Sequence, residues 1–101
     1  MTAPNRMEAE KIALLLLNEH LIACANICDG IQSHYWWKGR IESATEAIMI
    51  AKTVEPLVPK VIEKVKSVHP YECPCIVSLS IQDGLTTFLK WIEAETSAVE
   101  D

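Results

Sequence analysis

Apolar residues recur at helical spacing near the start of the chain, where Ala9, Ile12, Ala13, Leu16 and Leu17, with His20 in line, share one face. Asn5 followed three residues later by Glu8 has the pattern of a capping box, so a helix is expected from about Arg6 to His20. Leu21 to Trp37 is rich in strand-forming residues and interrupted at Asp29-Gly30. Lys38-Gly39-Arg40 then reads as a hairpin turn before Ile41 to Thr53, which predicts two long antiparallel strands. Pro56 and Pro59 suit the first turn of a second helix, whose buried stripe is Val58, Val61, Ile62, Val65 and Val68. Pro70 and Pro74 hold His69 to Cys75 out of any helix. Val77, Leu79 and Ile81 alternate with Ser78 and Ser80, which predicts a last main strand. Leu85, Phe88, Leu89 and Ile92 predict a short last helix, with residues 95–101 as a frayed polar tail.

The predicted order α, β, β, α, β, α lacks the leading strand of a ferredoxin-like unit, and Met1-Thr2-Ala3 supplies at most its tail. The expected fold class is α+β: a ferredoxin-like antiparallel sheet with helices on one face and its first strand largely missing, residues 1–101 forming one domain. Neighbours in a strand point to opposite faces, so Trp36 and Trp37 cannot both lie beneath the helices. Ala47 to Ala51 is apolar without alternation, as in a strand covered on both faces. Two helices cover only one face of so small a sheet. Copies of the chain are therefore expected on the other, the alternative being that the last helix, with Trp91, folds over it.

Composition narrows the function. Nine basic against fourteen acidic residues give a net charge of −5, which repels nucleic acid. The longest apolar run, Ile12 to Leu17, is too short to span a membrane, and acidic Glu8 and Glu10 precede it where a signal peptide is basic. A cytoplasmic location and free thiols at Cys24, Cys28, Cys73 and Cys75 are the resulting expectations.

Candidate chemistry concentrates in His69-Pro70-Tyr71-Glu72-Cys73-Pro74-Cys75. Thiolate and imidazole suit copper(I) or zinc, so His69, Cys73 and Cys75 are candidate ligands of a soft metal; two small cysteines packed in a sheet are the alternative. Cys24 and Cys28 share a strand face but lie about 13 Å apart, too far to hold one ion together. Lys52, inside an apolar strand, calls for a partner such as Glu46, Glu72 or a bound anion, or else snorkels to solvent. Gly-x-Ser-x-Gly, phosphate-loop and His-Glu-x-x-His patterns do not occur, and a Cys73 nucleophile with His69 as base has no third orienting group. Enzymatic activity and an organic cofactor are not expected.

Ala23-Cys24-Ala25-Asn26-Ile27, Tyr35-Trp36-Trp37-Lys38-Gly39-Arg40-Ile41, Ala51-Lys52-Thr53 and His69-Pro70-Tyr71-Glu72, in this order, resemble the CutA family of divalent-cation tolerance proteins. The resemblance extends to about Ala94. It implies a ferredoxin-like subunit assembled as a homotrimer, a role in divalent ion tolerance, and metal binding as the molecular activity. It further implies Cys24 as a copper ligand and Trp37, Lys52, Tyr71 and Glu72 as residues of clefts between subunits. Cys73 and Cys75 depart from the family pattern and add thiols to it. The alternative is a trimeric scaffold or sensor that binds a small anion or a partner protein in those clefts without catalysis.

Overall fold

The computed structural model describes residues 1–97; the last four residues of the expected polar tail lie outside the described residues. Asn5 is extended, and its side-chain oxygen accepts the Glu8 N–H at 2.9 Å, which starts helix α1 (Arg6–Asn18) where the capping pattern predicted. The helix stops when His20 turns left-handed (φ 57°), and the Leu21 N–H then closes onto the Leu16 carbonyl at 3.0 Å. The chain next enters β2 (Cys24–Trp37), reverses over Lys38-Gly39 and returns as β3 (Arg40–Lys52). Both turn residues have positive φ, 50° and 79°, the two-residue geometry that suits strand twist. The short β1 (Thr2–Ala3) pairs antiparallel with the far side of β3, giving the order β1-β3-β2.

Cys28 faces Ile48 while Ile31 faces Glu46, so β2 carries one extra residue at Asp29-Gly30. Gly30 adopts φ 74°, and its N–H donates to the Asp29 side chain at 2.9 Å. The bulge exchanges the faces of β2. Before it Ala25 and Ile27 point to the helices; after it the even-numbered residues lie on that side.

A short turn of 3₁₀ helix (Glu55–Leu57) leads into α2 (Val58–Val68), which has a proline in its first turn. Helices α1 and α2 cover one face of the sheet, where Ile12, Ala13, Leu16, Ile22, Met49 and Val65 form the core. Lys64 and Glu19 tie the two helices at 2.9 Å on the surface. The last helix, α3 (Thr86–Thr96), runs four residues further than Ile92. The His20 Nδ1–H donates to its Glu95 carbonyl at 2.9 Å. Trp91 stays exposed, stacked on Phe88 of the same helix with ring centroids 5.5 Å apart.

One predicted element is absent. Among the described residues Val77 to Ile81 pairs with no strand; it runs outside the sheet with Val77 71% and Leu79 90% exposed. Its period-two pattern is real, but β1 is only two residues long and offers no edge of matching length in this chain. Trp36 and Trp37 point to opposite sides, and both remain exposed. Among the described residues no helix is long and apolar enough to cross a membrane.

Candidate functional site

The segment that follows α2 is built on His69. This residue closes the helix, its N–H donating to the Val65 carbonyl at 2.8 Å, and takes the extended backbone that a following proline favours. Its ring is buried. Nε2 lies 2.8 Å from the Thr2 carbonyl, which can only accept, so Nε2 carries the proton and donates. Nδ1 accepts the Tyr71 N–H at 3.1 Å. Both nitrogens are therefore spent on backbone partners, one of them in β1, and His69 offers no lone pair to an ion. It fastens the loop to the sheet edge, and its ring leans on Tyr71 with centroids 4.9 Å apart.

Tyr71 carries the chain over the sheet face that the helices leave bare. Its hydroxyl donates to Glu46 Oε2 at 2.6 Å, and Glu46 is only 7% exposed although it sits in an apolar strand. The phenol is held well above its ordinary value, first by burial, then by the hydrogen bond to Glu46 and that carboxylate's charge, with Tyr35 adding to the effect. Glu46 is a functional neighbour that the sequence reading treated only as a partner for Lys52. A lone carboxylate between Thr45 and Ala47 was the available signal.

Beyond Tyr71 opens a groove of about 630 Å³, lined by Tyr35, Trp36, Trp37, Glu46, Glu72, Cys73 and Cys75 among others. Of the expected cleft residues it gathers Trp37, Tyr71 and Glu72. Lys52 is elsewhere, paired with Cys24 across the strands and donating its ammonium to the Asn26 side-chain oxygen. Trp37 pairs with Arg40, twelve residues from Lys52 along β3, or about 40 Å.

The expected metal ligands also separate. All four cysteines are free thiols. Cys73 and Cys75 are exposed and share the groove, whereas Cys24 is half-buried at the start of β2. Cys24 lies seven residues from Ile31, the partner of Glu46, which is about 23 Å along the strand. Among the described residues no three histidine, cysteine, aspartate or glutamate side chains converge as an ion-binding group. The described residues of one chain thus supply two thiols to the groove, not a four-ligand cage.

The CutA1 divalent ion tolerance protein family model matches residues 1–95. A divalent-cation tolerance protein CutA from Archaeoglobus fulgidus is 47% identical over 92% of this chain and 90% of its own length. A solved CutA structure from the same organism, described as a periplasmic divalent cation tolerance protein, superposes with a TM-score of 0.92 at 46% identity, covering 95% of this chain and 93% of that one. The chloroplastic protein CutA 1 of rice is 36% identical over 95% of this chain; the chain spans 54% of that longer relative. These relatives correct the expected cytoplasmic location. Relatives are described as periplasmic and chloroplastic, so membership of this fold does not set the compartment.

Proposed function

We propose, from the premise that the chain belongs to the CutA1 divalent ion tolerance protein family, that it is a single-domain, non-catalytic protein acting as a homotrimer that binds metal ions, copper or zinc, through thiols. The observation that carries the thiol part is the exposure of Cys73 and Cys75 in the lining of the groove. Assembly is supported by surface that one chain leaves without a partner. Val77, Leu79 and Ile81 are exposed on an extended stretch, the outer edge of β2 is open, and Ile50 and Trp36 lie bare. Backbone donors and acceptors on such edges pair readily with a second copy. Cys24 reaches an ion in this reading only together with a donor from a neighbouring subunit. His69, with both ring nitrogens engaged, acts by holding the groove wall in place.

The test is metal uptake by the reduced protein and by its Cys73→Ser and Cys75→Ser variants. Uptake that falls in both variants supports the reading; uptake unchanged by either removes it. The groove's four aromatic residues, Tyr35, Trp36, Trp37 and Tyr71, favour a second reading, in which an apolar segment of a partner protein seats there. Glu46 and Glu72 on the same walls disfavour a small anion as the occupant, and Lys52 is too far away to offset them. A Trp37→Ala variant that keeps full metal uptake but loses a partner would favour this second reading.

A further inference from the structure

The two thiols of the groove also bear on which ion is bound, an inference that rests on the thiol reading above. From Cys73 to Val77 burial alternates with a period of two: Cys73, Cys75 and Val77 are exposed, while Pro74 and Ile76 are half-buried and Ile76 packs against the core. Both thiols line the same groove. Standing two residues apart, their Cα atoms are separated by at most about 7 Å, at ~3.3–3.6 Å per residue of fully extended chain. Rotation about the side-chain bonds closes that gap to the roughly 4.5 Å that two sulfurs bound to one ion require, twice a metal–sulfur bond of ~2.3 Å. Pro74 between them limits the backbone's freedom and so lowers the cost of holding the pair.

What surrounds the pair matters as much. The His69 ring is fully engaged, Glu46 is held by Tyr71, and no third ligating group converges with the thiols among the described residues. Zinc is held almost always by four ligands in a tetrahedron, which the described residues of one chain do not offer. Copper(I) is soft and monovalent, prefers thiolate, and is satisfied by two sulfurs in a line. We propose that Cys73 and Cys75 of a single chain close on one copper(I) ion as a two-sulfur site, and that this site does not take zinc.

The experiment is anaerobic titration of the reduced full-length protein with copper(I) delivered from a chromophoric chelator, followed by X-ray absorption at the copper edge. The expected result is one copper per chain bound by two sulfurs with no nitrogen or oxygen donor, unaffected by excess zinc. Cys73→Ser and Cys75→Ser should each weaken binding by about 100-fold or more, since even the loss of a group that only supports a ligand costs 10–100-fold. Cys28→Ser should leave it unchanged. Three or four donors, or displacement by zinc, would overturn the two-sulfur site while leaving thiol binding intact. Copper lost with Cys24→Ser rather than Cys73→Ser would move binding to another thiol, and no uptake of either metal would sink both proposals.

Discussion

Replacing Tyr71 by phenylalanine removes one atom from the bond that closes the groove floor. In the parent, the hydroxyl donates at 2.6 Å to Glu46, whose side chain is almost fully buried. Without it a carboxylate is left in low-dielectric surroundings with no donor, which costs about 1–3 kcal/mol. Working at one protein concentration, because assembly adds to apparent stability, urea denaturation at about pH 8 should show the variant less stable by that amount. The pH dependence supplies a sharper check. Tyr71 keeps its proton in the folded protein to a higher pH than the ordinary 10.0 of the unfolded chain. The stabilisation it provides is therefore complete below pH 10.0 and is lost as pH rises above it, as the unfolded chain ionises first. The advantage of tyrosine over phenylalanine should therefore shrink as pH rises from about 8 to about 11. Other alkaline-titrating groups are common to both proteins and cancel. A gap that stays below about 0.5 kcal/mol at pH 8, or that does not change at alkaline pH, would refute the role given to this pair.

Three further outcomes follow from other parts of the molecule. His69→Ala should lower stability by about 2–4 kcal/mol, because it empties a buried site and releases both the Thr2 carbonyl and the Tyr71 amide; faster hydrogen exchange at the Met49 amide, which donates to Met1, would report the loosened β1 edge. Gly39→Ala places a Cβ at φ 79° in open space and should cost about 1–2 kcal/mol in thermal or urea unfolding through backbone strain alone. Leu79→Glu changes a side chain that is 90% exposed in the single chain, so it should leave the fold of that chain intact while reducing subunit number by light scattering; an unchanged assembly would remove this stretch from the interface.

Helices α1 and α2 and the β2–β3 hairpin were legible because each buries one face within the chain, and period then maps directly onto structure. Residues 77–81 were not. Alternation records that one side of a strand can be buried but not what buries it, and here the described residues supply no partner. Asp29-Gly30 was readable as an interruption, yet the exchange of faces it imposes follows only from the register with β3. The structure brings together only part of the candidate site. Tyr71, Glu72, Cys73 and Cys75 are close in sequence and line one groove, whereas Cys24 and Lys52 are placed far from it by the length of the hairpin. His69 shows why residue type alone misleads. An imidazole beside two thiols suggests a ligand set, but its partners are backbone groups, one of them 67 residues away, and backbone partners leave no mark in a sequence.

Native mass spectrometry of the reduced protein, titrated with copper(I) and with zinc, tests the central claim most directly because one spectrum gives both subunit number and ion count. The expected result is a trimer that takes up one copper per chain and loses it in the Cys73→Ser variant. A monomer, or a trimer that stays empty until metal is in large excess, would contradict the claim.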